Sequence, residues 1–302
     1  MLMNPALEPP LICPVCNSDK THFTLKVKDH SVSGDLFDVL ECSQCSLRFT
    51  WNAPSEENID VYYQSEDYIS HSNTRKGLIN SLYHFVRNRT LSTKHHLIER
   101  DTGIKRGHHL DIGAGTGAFV QYMNQLGWES VGIEPDSKAR ERAQEFHKTI
   151  LLPAQAFETL LPESFDAISL WHVLEHVHDL YPYLHQIKKI LKPSGLIFIA
   201  VPNYTGYDAM KYGANWAAYD VPRHLYHFSP KSMRWLLKDA GFQLKKIDPM
   251  WWDSFYISLL SEKYVGSRAS MLNGFLTGAV SNMKAFTDKE KCSSLIYVAK
   301  KA

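Results

Sequence analysis

No stretch of the 302-residue chain is apolar for the roughly 18 residues that a bilayer crossing requires, so no membrane association is expected. The first residues, with Pro9 and Pro10 beside Glu8, lack the basic and apolar regions of a signal peptide. The expected compartment is therefore the cytoplasm. An excess of charge is also missing. Lys and Arg number 33 against 32 Asp and Glu, a net +1, which gives no bulk pull toward nucleic acid or anionic lipid. Low-complexity tracts are absent, and 44% hydrophobic with 22% charged residues excludes disordered and collagen-like chains. Cysteine is scarce at five residues, and in a reducing compartment these serve as thiols, metal ligands or catalysts. The length allows one large domain or two smaller ones.

Four of the five cysteines form two identical spacings, Cys13-Pro-Val-Cys16 and Cys42-Ser-Gln-Cys45. Each C-x-x-C puts two thiolates on one tight turn, and two such turns supply a closed tetrahedral shell for structural zinc. The gap between the pairs exceeds the ~15 to 20 residues usual for such sites. A redox pair would need one motif inside a βαβ pattern, which is missing here. Residues 22–28 and 36–41 read as short strands joined by a turn at Ser33-Gly34-Asp35. A small zinc ribbon over residues 1–52 is expected. Cys292 stands alone and reads as an idle buried thiol.

Residues 53–106 read as a helical connector, since Leu78, Ile79, Leu82, Tyr83 and Val86 recur at helical spacing. Its tyrosines, Tyr63 and Tyr68 among them, are candidates to line an acceptor pocket, with interdomain packing as the plainer alternative.

From His109 to Phe119 a short apolar strand ends at Asp111 and passes into a turn rich in glycine (Gly113, Gly115, Gly117) that opens a helix. Glycines let a backbone approach a ligand closely and adopt positive φ. The pattern also satisfies the dinucleotide template, but Asp111 would repel a pyrophosphate and suits an ammonium group. A second strand, residues 130–134, ends in Glu134, whose carboxylate can accept from both ribose hydroxyls. An acid for an amine and an acid for a ribose together describe S-adenosylmethionine.

Residues 110–119, 132–136, 164–176 and 191–199 resemble, in order, the motifs of class I S-adenosylmethionine-dependent methyltransferases. The resemblance is strong over about residues 107–250 and weaker at the last strand. It implies an α/β domain over residues 107–302: a Rossmann-like, seven-stranded, mostly parallel sheet with flanking helices, its last strand antiparallel. It also implies a cofactor site formed by Asp111, Gly113, Ala114, Gly115, Gly117, Glu134, Pro135, Ala156, Leu170, Trp171 and His172, with His176 near the acceptor. Residues 251–291 read as an inserted helical pair, a lid or an oligomer contact; the oligomeric state is left open.

His172-Val-Leu-Glu-His176 also matches the H-x-x-E-H signature of a metalloprotease, but a strand-to-loop junction at His172 breaks the helical face that such a site needs. Candidate bases for an acceptor proton are His176, His224 and His172. Tyr219, Arg223 and Tyr226 are candidates to hold an anionic or sugar-like acceptor. The activity expected is methylation of a small molecule or sugar-type metabolite on O, N or C, and the partner expected is that acceptor. The alternative, an RNA methyltransferase gripping its substrate through the ribbon, is disfavoured because the ribbon's lysines are outnumbered by its acids.

Overall fold

The structure, a computed structural model, describes residues 11–63 and 78–302, the latter with side chains from Arg89 onward. Ten strands occur in it, β1 (Thr21–Lys28), β2 (Leu36–Cys42), β3 (Arg48–Trp51), β4 (His108–Ile112), β5 (Glu129–Ile133), β6 (Phe165–Trp171), β7 (Leu191–Pro202), β8 (Tyr226–His227), β9 (Phe242–Pro249) and β10 (Ser294–Lys301). They form two sheets. The larger runs β5-β4-β6-β7-β10-β9. Its first four strands are parallel, and β10 is antiparallel to both β7 and β9. No helix among the described residues is long and apolar enough to cross a membrane.

The parallel strands are buried on both faces, as sheets covered by helices require. Ile168, Leu170, Ile197 and Ile199 point into one core, while Ala167, Trp171, Phe198 and Ala200 point into the other. Helices are placed where local chemistry starts and stops them. Ser229 accepts from the Ser232 N–H and Pro230 sits at the first helical position of Pro230–Asp239. Gly241, at φ +78°, leaves that helix into β9. Asp179 stands before the helix Leu180–Ile190, but its side chain makes no capping bond.

The sheet holds six strands where seven were expected. The missing one is reduced to a single parallel bridge between Ile133 and Leu152. Leu152 alone bonds to β5, its N–H to the Gly132 carbonyl and its carbonyl to the Glu134 N–H, before the chain turns at Ala154 toward the helix Ala156–Thr159.

The second sheet is antiparallel with order β1-β2-β3-β8. Three strands belong to the cysteine-bearing segment; β1 and β2 match the two strands read from the sequence, and β3 was not foreseen. The fourth, β8, comes from the larger domain and pairs Arg48 with His227 and Phe49 with Tyr226. The ribbon is thus stitched into the larger domain through backbone hydrogen bonds.

The insertion is a helical pair, Asp253–Tyr264 and Ser270–Thr287. Its second helix packs through small residues rather than through its large apolar ones. Gly274, Thr277, Gly278, Ser281 and Ala285 are buried, whereas Leu272, Leu276 and Met283 are exposed. Small residues win because the backbones approach closely. A Cβ on Gly278 would lie 2.8 Å from the Phe255 Cα, and one on Gly274 2.7 Å from the Leu259 Cα. Gly278→Val must force the pair apart and should cost roughly 1–3 kcal/mol by overpacking. Thermal unfolding checks this: an unchanged midpoint would contradict the close approach.

Candidate functional site

The glycine-rich turn leaves β4 at Asp111 and Ile112. Gly113, Gly115 and Gly117 have φ of +69°, +54° and +74°, a region that disfavours any side chain. A Cβ on Gly113 would meet the Val173 Cγ2 at 2.4 Å, while nothing lies within 4 Å of one on Gly115. The turn is therefore closed on one side and open on the other, as a ligand cradle must be. Ala114 packs beside Gly132, whose own Cβ would be 2.9 Å from it.

Two acids bracket the cradle. Asp111 is buried, and its Oδ1 accepts from the Ser169 hydroxyl at 2.6 Å. Burial pushes its carboxyl up to about 6, the response of a negative group short of a cation. Glu134 ends β5 and folds back over the turn. Its Oε2 accepts from the Gly115 N–H at 2.8 Å and its Oε1 from the Asp136 N–H at 3.0 Å. Burial raises this carboxyl as well. Pro135 is exposed, with its carbonyl accepting from Arg140, and Ala156 begins the short helix Ala156–Thr159. Trp171 reaches the site face at the end of β6. The Leu170 side chain turns instead into the core beneath the sheet.

A cation not foreseen from the sequence enters this site. Lys94, on the helix Leu78–Thr102, places its ammonium 4.4 Å from the centre of the Trp171 ring. Burial lowers its pKa to about 8, opposed by the charges of Asp111 and Asp253. The sequence carried no signal for it, since one lysine on an amphipathic helix ordinarily faces water.

Beyond Trp171 the chain turns through His172, at φ +58°. Its Nε2 lies 2.8 Å from Asp253 Oδ2 and its Nδ1 3.2 Å from Glu175 Oε1. Burial disfavours the imidazolium, but the two carboxylates prevail and raise the pKa to about 10. His172 is thus a charged donor at neutral pH. It cannot serve as a base, and it does not converge with His176 on one cation as the protease signature would require.

His176 and His224 do come together, edge to face with ring centroids 4.6 Å apart. His176 Nδ1 lies 3.0 Å from the Tyr63 hydroxyl and 3.0 Å from the Arg223 carbonyl. Burial and the adjacent His224 lower the His176 pKa to about 4, so it is neutral. Tyr63 therefore stands beside His176, whereas Tyr68 lies outside the described residues.

Three expected acceptor contacts are corrected. Arg223 is 2% exposed, forked onto Asp220, close to Asp29 and donating to the Tyr62 carbonyl. Its donors are engaged within the protein. Tyr219 accepts from Arg48 at 2.6 Å, and Tyr226 donates to the His178 carbonyl at 2.7 Å. All three fasten the ribbon and the loop over the site, and none is open to an acceptor.

The charge on His172 has a stability consequence. Its folded pKa exceeds the ordinary 6.5, so its contribution is complete below about pH 6.5 and is lost as pH rises toward about 10. The gap in thermal midpoint between wild type and His172→Gln should shrink steadily across that window. A constant gap would mean that His172 carries no charge there.

Comparison with known proteins agrees with this geometry. The profile of the methyltransferase domain matches residues 83–247, more than half of the chain. A ubiquinone biosynthesis O-methyltransferase of Xanthomonas axonopodis pv. citri (strain 306) is 29% identical over 154 residues, covering 47% of this chain and 64% of that protein. One from Bradyrhizobium sp. (strain ORS 278) is 29% identical over 127 residues, covering 40% and 50%. The chain thus spans less than two thirds of either relative. Among solved structures, a Galdieria sulphuraria protein assigned as a sarcosine dimethylglycine methyltransferase superposes with a TM-score of 0.50 at 14% identity, over 72% of this chain and 86% of that one. That likeness speaks for the fold alone. Taken with the domain match and the cradle between Asp111 and Glu134, the chain belongs to the class I S-adenosylmethionine-dependent methyltransferases.

Proposed function

We propose that the protein methylates a small-molecule acceptor, with a hydroxyl as the acceptor group. The observation that carries the cofactor half is the pair of acids, buried Asp111 and half-buried Glu134, flanking a positive-φ glycine turn that is open above Gly115. Asp111 would take the ammonium of the cofactor's amino-acid end and Lys94 its carboxylate. Glu134 keeps lone pairs for the ribose hydroxyls. Gly113, Ala114, Gly115, Gly117, Pro135, Ala156 and Trp171 complete the surround, and Leu170 shapes it from beneath. When bound, the cofactor supplies a methyl carbon activated by a sulfonium. The protein's part is to hold the acceptor in line with that carbon and to manage its proton.

The acceptor half falls to Tyr63, His176 and His224. A neutral imidazole beside a phenol, held under a loop, suits a hydroxyl that must lose a proton. The relatives named for ubiquinone biosynthesis are O-methyltransferases, which supports oxygen as the acceptor atom. Two of the ribbon's cations are engaged, Lys26 with Asp38 and Arg48 with Glu41, and its lysines are outnumbered by its acids, which leaves little for an RNA backbone.

The ribbon's four cysteines fit structural zinc. Their sulfurs lie within 4.8 Å of one another, with Cys13–Cys45 and Cys16–Cys42 each at 3.5 Å. Tetrahedral ligation at about 2.3 Å spaces sulfurs by about 3.8 Å, close to what is seen and far from a disulfide. All four positions would be filled by protein, so the metal would brace the ribbon and take no part in the chemistry.

S-adenosylhomocysteine at 100 times its dissociation constant should stabilise the protein by about 2.7 kcal/mol. The rise in thermal midpoint should vanish in Asp111→Ala and in Glu134→Ala, with NAD inactive throughout. A shift with NAD alone would overturn the assignment. His176→Gln should keep the S-adenosylhomocysteine shift but lose about 10²- to 10⁴-fold in turnover. Undiminished turnover would remove His176 from the acceptor site.

A further inference from the structure

Glu175 is fully buried beneath the two histidines. Its Oε1 is engaged by His172, but its Oε2 has no hydrogen-bond partner among the described residues. A buried carboxylate oxygen without a partner is costly, and a bound ion is one group that would satisfy it. The neighbouring rings supply one. His224 Nδ1 lies 2.9 Å from the Ala218 carbonyl and His176 Nδ1 lies 3.0 Å from the Arg223 carbonyl. Carbonyls only accept, so donation from each Nδ1 leaves each Nε2 with a lone pair, and the Tyr63 hydroxyl, 3.0 Å from the same His176 nitrogen, then accepts there rather than donates. The spacing of Asp220 agrees: its Oδ2 stands 3.9 Å from His224 Nε2, too far for a hydrogen bond, while Arg223 holds that carboxylate. Imidazoles that bind metal through one nitrogen and donate the other N–H to a backbone carbonyl are the usual outer-shell arrangement.

We propose that Glu175, His176 and His224 form a second metal site, for a divalent first-row cation, with zinc as its test ion. One ligand atom from each of the three lies within 4.8 Å of the others, close enough to gather on a single ion. Two imidazoles and one carboxylate suit zinc, iron or cobalt and leave coordination positions open. The site is distinct from the cysteine cluster in ligand type and in having those open positions. Oxygen ligands fill such positions, so the acceptor class becomes one that presents a hydroxyl or two adjacent oxygens to a cation. That last step rests on the methyltransferase reading; the metal binding does not. With the ion in place, His176 and His224 act as ligands, and the ion lowers the hydroxyl's pKa in place of direct proton transfer to His176.

The test uses the full chain, stripped of metal and then titrated with Zn²⁺ and, separately, with Co²⁺. Wild type should bind two equivalents of zinc. Glu175→Gln and His224→Ala should each bind one, with circular dichroism unchanged. With cobalt, both variants should keep the thiolate-to-metal absorption of the cysteine site and lose only the weaker bands of a nitrogen and oxygen site. One equivalent in wild type, or equal binding by wild type and Glu175→Gln, would overturn the proposal. The same samples are tested for an S-adenosylhomocysteine shift. Loss of that shift with two equivalents bound would sink the methyltransferase reading and leave the metal site standing. The shift with only one equivalent would do the reverse.

Discussion

The site depends on one strip of backbone, residues 223–228, that is held from both sides. On one side it completes the ribbon's sheet, where β8 pairs with β3 and the Thr50 N–H donates to the Leu225 carbonyl at 2.9 Å. On the other, the Leu225 N–H donates to the Glu175 carbonyl at 2.8 Å, and the Arg223 carbonyl faces His176. The Thr50 hydroxyl adds a bond to the His224 carbonyl. Each bond is worth only about 0.5–1.5 kcal/mol. Together they set where both histidines stand. In the proposed reading the ribbon is thus the outer wall of the acceptor site, and β8 also covers an edge that would otherwise invite another strand.

Charge reinforces that geometry. Arg223, 2% exposed, bridges Asp220 within the loop to Asp29 at the end of β1, and so joins ribbon and loop a second time. Asp29 is itself held by the Ser31, Val32 and Ser33 amides. His172 ties Glu175 to Asp253, the first residue of the inserted helical pair. Asp208, also buried, collects Trp216 before the loop, Ser281 of the insertion and Ser293 before β10. Buried ion pairs contribute little net stability, because desolvation offsets their attraction. Their use here is positional: they tie both the insertion and the ribbon to the loop and its neighbours.

Much of this was legible from the amino acids, for identifiable reasons. The glycine turn, Asp111 and Glu134 could be read because glycine adopts those φ values far more readily than other residues and because the acids sit at fixed offsets from it. The cysteine pairs announced themselves by spacing. The sequence failed where meaning depends on a distant partner. Arg223, Tyr219 and Tyr226 looked like acceptor ligands, yet their partners, Asp29, Arg48 and His178, lie far away in the chain or on another element. Lys94 was missed for the same reason. The helical pair misled through leucines that stay exposed, since contact there is made by glycine, serine and threonine. The seventh strand shrinks to one bridge at Leu152 because the chain turns away two residues later.

The central claim is that the ribbon positions the acceptor loop, and hydrogen exchange measured by mass spectrometry on the zinc-loaded full chain, before and after chelation, tests it most directly. If β3 and β8 act as one sheet, chelation should speed exchange both in residues 36–51 and in residues 219–228. Faster exchange confined to the ribbon, with the loop amides still protected, would show that the loop holds its place unaided and would contradict the claim.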